Sequence, residues 1–293
     1  MVGFKQGHLF ILGAAILFGT TGTVRAFAPE GMGPVFIGAL RLAIGGASLL
    51  AIVAVNHRQH SLIAGLRPGM TLLAAGGICL FQVCFFSAVI RTGVAVGTLV
   101  AIGTAPLVVG LLESIIYREP VTPRWCAAAG LSIGGCSLLV TAGTEVTLDS
   151  GGILLAAGAG FGYALYQVAS KRLVKGCSPE KVMAVVLCAG AILLAPCLAT
   201  PEVYLLASLR GLAVALFLGV VATAVAYTLF ARGLKTVPVS RAAVLGLMEP
   251  LTASLLGVFI LGEHLTAPAW VGAALIVGGL FVVVQPRDAK RTL

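Results

Sequence analysis

Apolar residues run through this chain in blocks of about twenty, the length that carries a helix across about 30 Å of hydrocarbon at about 1.5 Å per residue. Ten such blocks can be placed, near residues 9–27, 35–55, 70–90, 94–116, 125–142, 152–170, 181–199, 209–231, 238–261 and 269–285. The polar stretches between them are too short to hold a soluble domain. The pattern predicts an all-α membrane protein with ten transmembrane helices. A cleavable signal peptide is the rival reading of the first block, because Lys5, the run from Leu9 to Phe18 and Ala26-Phe27-Ala28 imitate its three parts. Arg25, just before the would-be cleavage site, argues for a retained helix.

A second pattern lies on top of the first. Residues 102–121 read IGTAPLVVGLLESIIYREPV and residues 246–265 read GLMEPLTASLLGVFILGEHL, an internal repeat at an offset of 144 residues. Pro106 pairs with Pro250, Leu107 with Leu251, Glu119 with Glu263, Thr122 with Thr266 and Gly134-Gly135 with Gly278-Gly279. Phe18-Gly19 and Phe161-Gly162 match at nearly the same offset. Each half, residues 1–145 and 146–293, then holds five spans. Five is odd, so the second half enters the membrane from the opposite side, and the two are predicted to be inverted five-helix repeats. Two similar units of opposite orientation give one polypeptide two nearly equivalent conformations, one open to each side. That is the logic of alternating access.

Lysine and arginine set the orientation. With the N-terminus inside, the cytoplasmic segments hold fourteen of them: Lys5, Arg58, Arg67, Arg118, Arg124, Lys171, Arg172, Lys175, Lys181, Arg232, Lys235, Arg287, Lys290 and Arg291. The outer segments hold Arg25, Arg91 and Arg210, while Arg41 and Arg241 fall inside apolar runs. Both termini are therefore predicted to be cytoplasmic. This dispersal gives the net charge of +9 a topogenic meaning and argues against a nucleic-acid partner.

Composition narrows the chemistry. Only 10% of the residues are charged, against about 25% in soluble proteins. Aspartate occurs only at Asp149 and Asp288, and histidine only at His8, His57, His60 and His264, in or beside the polar stretches. An intramembrane Asp dyad and a His-ligated zinc or haem are excluded, so neither metal nor cofactor is expected. The seven cysteines form no CxxC pair and read as small buried hydrophobes. An intramembrane enzyme lacks its nucleophile and base here, and the inverted repeat favours a moving carrier over a channel.

Ten spans built as five plus five, with Glu249-Pro250-Leu251, then Leu255-Leu256 and Leu261-Gly262-Glu263, resemble the drug/metabolite transporter superfamily, EamA-type branch. The fourth span carries a weaker echo in which Ala105 replaces the Glu. Within that branch the chain is similar to bacterial exporters of aromatic and other amino acids. The resemblance implies a bacterial inner-membrane carrier with a central cavity lined by spans 1, 3, 4, 6, 8 and 9. It implies a small-molecule substrate, an amino acid or similar, with a proton as candidate coupling ion. Members also handle drugs and cations, so a multidrug or cation exporter of the same fold is the alternative.

Several residues could carry such a function. Pro106 and Pro250 each remove the hydrogen bond to the carbonyl four residues earlier, and read as matched hinges or as tolerated kinks. Glu249 is the deepest carboxyl, suited to a substrate ammonium or a proton, or else paired with Arg41 or Arg241. Arg41, Arg241 and Glu113 are expected in structural roles: Arg41 bonded to carbonyls or a Glu in the bundle rather than to substrate, Arg241 reaching the cytoplasmic headgroups or a substrate carboxylate, and Glu113 in a structural ion pair or at an interface. Aromatic and polar side chains cluster at helical spacing: Gln82, Phe85 and Phe86 in span three, Tyr163, Tyr166 and Gln167 in span six, and Thr223, Tyr227 and Phe230 in span eight. They would suit a bulky apolar side chain with a polar head, or be plain packing. Gly130-x-x-x-Gly134 aligns with Ala274-x-x-x-Gly278, a spacing that permits close packing of spans five and ten within the fold or a contact between two copies of the chain.

Overall fold

The computed structural model describes residues 6–56, 64–118, 121–141 and 149–285, and every regular element among them is helical. The helices are α1 (Gln6–Ala26), α2 (Pro34–Asn56), α3 (Pro68–Tyr117), α4 (Pro123–Thr141), α5 (Ser150–Leu173) and α6 (Pro179–Leu193). They continue with α7 (Leu209–Leu234), α8 (Val239–Leu261) and α9 (Ala267–Val284). Eight of them have at least eighteen residues and are apolar enough to cross a bilayer. Glu119, His57, His60, Asp288 and the charges at Lys5, Arg58, Arg287, Lys290 and Arg291 lie outside the described residues.

Local chemistry sets the helix ends. Proline opens α2, α3, α4 and α6, where its missing N–H costs nothing. Asp149 Oδ1 accepts from the Gly152 amide at 2.6 Å and caps α5; Ser208 Oγ accepts from the Gly211 amide at 3.0 Å and caps α7. Three interruptions divide the longer elements. Gly93 (φ 77°, ψ 167°) splits the 50-residue α3 into limbs 68–92 and 94–117, each of spanning length, in a conformation open to glycine alone. A π-helical stretch, Phe217–Val225, lies inside α7. Turn geometry at Gly246 and Leu247 interrupts α8. The α-helix expected over 181–199 stops at Leu193 and gives way to 3₁₀ turns at Ala195–Leu198 and Pro201–Ala207, because Pro196 and Pro201 have no N–H to continue it.

Glycine lets the helices meet backbone to backbone. A methyl group on Gly77 would lie 2.7 Å from the Gly162 carbonyl oxygen, and one on Gly162 would lie 2.8 Å from that of Gly77, so α3 and α5 touch there without side chains between them. Gly160 approaches the Ala101 carbonyl of the second limb in the same way, at 2.6 Å, and α5 is thereby clasped by both limbs. Gly46 seats α2 on α6 at Cys188, and Gly19 seats α1 on α8 at the Glu249 carbonyl.

The pair α4 and α9 packs chiefly on itself, but not through the residues expected. Gly130, Gly134 and Gly278 have nothing within 4 Å of a methyl group built on them. The contact is made one position on, by Gly135 against the Gly272 carbonyl at 2.5 Å and Gly279 against that of Ala128 at 2.7 Å. Ala128, Ser132 and Gly135 recur at the i, i+4, i+7 spacing of one helix face, and that face, not the one bearing Gly130 and Gly134, turns to α9. Gly135→Leu should therefore destabilise the protein by at least roughly 1–3 kcal/mol, the usual cost of overpacking. Gly134→Leu, its immediate neighbour, should stay within about 0.5 kcal/mol of the parent. Thermal melts of the two variants in detergent check the difference; equal melting temperatures would refute this interface.

Candidate functional site

Four helices bring their aromatic side chains into one continuous ladder. On α3, Phe86, Phe85 and Phe81 follow one another at ring-centroid distances of 5.6 and 5.4 Å. Phe81 meets Tyr163 of α5 at 5.2 Å, and Tyr163 stacks on Tyr166 at 5.8 Å. Tyr166 then meets Tyr227 of α7 edge-on at 5.5 Å and Phe230 at 6.5 Å, and Tyr227 meets Phe18 of α1 at 4.9 Å. All lie in the range where aromatic pairs attract beyond their buried area. Phe85, Phe86, Tyr163, Tyr166 and Tyr227 are among the residues singled out from sequence. Phe81 and Phe18 are not, although Phe81 stands one turn from Phe85 on the same face.

The ladder has a buried end and an open end. Tyr166 and Phe230 are fully enclosed, with the Tyr166 hydroxyl against Met183 Sδ at 3.3 Å. Tyr163, Phe81 and Phe85 keep accessible surface. Arg41 and Glu249 keep some as well. Arg41 bonds to Thr223, one turn from Tyr227 on α7, and Tyr227 meets Phe18, whose neighbour Gly19 abuts the Glu249 carbonyl, so Arg41, Tyr227 and Glu249 come together in one region of the bundle.

Arg41 and Glu249 are not in contact; the ion pair formed between two described residues is Arg232–Glu180, near the surface. Instead Arg41 Nε donates to Thr223 Oγ1 at 3.0 Å and Nη2 to the Ala222 carbonyl at 3.1 Å. Thr223 Oγ1 in turn donates to the Leu218 carbonyl, five residues back, at 2.7 Å. Widening α7 into a π-helix presents these acceptors to α2. Stretches of this kind occur frequently at functional sites.

Of the two roles expected of Glu113, the structure places it at an interface and gives it no ion pair with a described residue. Its carboxylate accepts from the Val239 amide at 2.8 Å and the Ser240 amide at 2.9 Å, so a residue of α3 caps the start of α8. The first amides of a helix have no partner within it, and a carboxylate there meets both their hydrogens and the positive end of the helix dipole. Trp125 reinforces the joint, its Nε1 donating to the Ser240 carbonyl at 3.0 Å while its ring covers Gly110. Arg241 lies half-buried in the first turn of α8.

The remaining candidates sit apart from the ladder or behind it. Gln82 is buried and donates to the Gly38 carbonyl at 3.1 Å, tying α3 to α2. Gln167 is 1% exposed, and its Oε1 has no hydrogen-bond partner among the described residues. The two prolines differ. The backbone stays helical through Pro106, whereas Pro250 follows the interruption at Gly246 and Leu247. The Gly246 carbonyl, which Pro250 leaves without its usual donor, accepts from the Glu249 amide at 2.9 Å.

A bundle of apolar helices around a charged, aromatic-lined interior site is the make-up of an integral membrane transporter. The chain belongs to the EamA-like transporter family, part of the drug/metabolite transporter superfamily: the family's sequence model matches it twice, over residues 5–141 and 150–285. An uncharacterized transporter of Bacillus subtilis, YwfM, is 43% identical over 96% of this chain and 95% of its own length. An uncharacterized transporter of Archaeoglobus fulgidus is 31% identical over 95% and 96%. A probable amino-acid metabolite efflux pump of Salmonella typhimurium is 24% identical over 88% of this chain and 96% of its own. A solved crystal structure superposes with a TM-score of 0.82 at 25% identity, covering 94% of this chain and 95% of that one.

Proposed function

We propose that this protein is a secondary transporter that exports small amphipathic metabolites, foremost amino acids with aromatic or other apolar side chains, by alternating access. The observation that carries this reading is the meeting of an aromatic ladder with Arg41 and Glu249 around one interior site. Aromatic walls suit an apolar side chain, and two opposite charges suit a zwitterionic head without a heavy desolvation cost. The amino-acid metabolite efflux named for the Salmonella relative points the same way. Strongly anionic substrates would call for several cations, and the spans hold only Arg41 and Arg241.

In this reading ten spans form two inverted five-helix repeats, residues 1–145 and 146–293, in a bacterial inner membrane with both termini cytoplasmic. The short α6 makes its crossing with the help of the 3₁₀ turns that follow it, and α3 makes two. The charge asymmetry of the loops supports the orientation. The Glu113 cap then lies at the cytoplasmic end, joining a helix of the first repeat to one of the second and holding that side shut. Pro106 and Pro250 are the hinges, and Glu249 is the residue through which a proton would couple.

Overexpression should lower the intracellular level of an aromatic amino acid, or raise resistance to a toxic analogue of one. Tyr163→Ala, which removes a half-buried rung of the ladder, and Gln82→Ala should each weaken that effect at equal protein abundance. Unchanged amino-acid levels, together with reconstituted protein that moves sugar phosphates or nucleotide sugars instead, would refute the substrate while leaving the carrier.

A further inference from the structure

Arg41 poses a physical problem that its contacts do not solve. A guanidinium deep in an apolar bundle is costly unless it meets an anion, and here its partners among the described residues are a hydroxyl and a carbonyl, both neutral. Among the described residues no carboxylate stands within 4.0 Å of it. Glu249 presents the mirror image: its side chain makes neither hydrogen bond nor ion pair with the described residues, and it keeps some accessible surface. Arg41 and Glu249 feel each other's charge but are held apart, one anchored on α2 to the π-helical stretch of α7, the other on α8 beside the Gly246 interruption.

Two opposite charges kept apart in one region of the bundle suit a ligand that carries both. We propose that Arg41 is the carboxylate-binding residue of the transport site: its Nε and Nη2 edge is fixed on Thr223 and Ala222, and its remaining Nη1 side takes the α-carboxylate of a zwitterion whose ammonium faces Glu249 and whose side chain lies along the Tyr163 end of the ladder. Two bonds to one helix hold the planar fork in place before the ligand arrives, so little of its rotamer freedom is lost on binding. The bonds also tie occupancy of the site to the spacing between α2 and α7, one helix from each half of the chain. This rests on the amino-acid reading above and adds what it lacks, a reason for selecting the free acid over its neutral or cationic derivatives.

The test uses the full-length protein in liposomes with three probes: L-phenylalanine, its carboxamide, and phenethylamine, which lacks the carboxyl group altogether. The wild type should prefer the amino acid over both by about tenfold or more, the worth of a charge-assisted bond. Arg41→Gln should bring phenylalanine down to the level of the carboxamide, and Arg41→Lys should restore part of the preference. Thr223→Val, which leaves the guanidinium but frees its Nε, should reduce phenylalanine transport and spare the carboxamide. Wild-type protein that moves the carboxamide as well as the acid would overturn the assignment even if no variant were recovered. So would Arg41→Gln protein that is stable yet loses both probes equally, which is the signature of a purely structural arginine. A wild type that moves none of the three would instead remove the amino-acid reading itself.

Discussion

Glu249→Gln should abolish transport of zwitterionic amino acids while leaving a folded protein in the membrane. The substitution keeps the size and shape of the side chain, and no hydrogen bond or ion pair to the described residues is lost with the charge. What disappears is the counter-charge for a substrate ammonium, in a setting with little water to replace it. A hydrogen bond to a charged group is worth about 1.5–3 kcal/mol, so the rate at subsaturating substrate should fall by about 10- to 150-fold. Two assays separate the roles open to this carboxylate. If it holds the ammonium, both pH-gradient-driven transport and exchange of labelled for unlabelled substrate are lost. If it only carries a proton, the driven mode is lost and exchange survives. Loss of both is the expected result.

Glu113→Ala should have the second-largest effect, and on a different quantity. It leaves the Val239 and Ser240 amides without their acceptor in a buried place, at a cost of about 1–3 kcal/mol for each. That penalty falls on the arrangement in which α3 and α8 are joined at this end, so the variant should populate the opposite arrangement more. Cysteines introduced along the start of α8 should become reactive to a membrane-impermeant thiol reagent from the cytoplasmic side in Glu113→Ala and remain protected in the parent. Glu113→Gln should lie between the two, since the amide oxygen can accept one of the two bonds. Equal labelling in all three proteins would show the cap to be dispensable for closure.

These two carboxylates also mark what a sequence yields and what it withholds. Helix positions follow from apolar runs, and α1, α2, α4, α5, α7, α8 and α9 lie within a few residues of the blocks read from them, because lipid demands one apolar length wherever a helix crosses. The deep placement of Glu249 and Arg41 was legible for the same reason, as charges far from either end of a run. Partners were not. Glu113 reads from sequence as half of an ion pair or as an interface residue, and the sequence does not decide between them, because its two donors are backbone amides, which every residue but proline possesses. The register of α4 on α9 went to Gly130 and Gly134 when it belongs to Gly135, Gly272 and Gly279, because a glycine-rich helix carries more than one small face and only the neighbour decides which is used. The break at Gly93 falls in the gap between the blocks 70–90 and 94–116, whereas the helix runs on through Pro106. No residue pattern announces the π-helical stretch, which meets Arg41 of another helix through Thr223 and Ala222.

Counterflow in liposomes tests the central claim most directly. Liposomes holding the purified protein and preloaded with unlabelled L-phenylalanine are diluted into a trace of the labelled amino acid, with no ion gradient imposed. An alternating-access carrier for this substrate must take up label transiently above its equilibrium level, because occupied sites return faster than empty ones, and Arg41→Gln must abolish the overshoot. Label that enters without overshoot, at a rate indifferent to the preload, would contradict the carrier mechanism, and no entry of any amino acid would contradict the substrate.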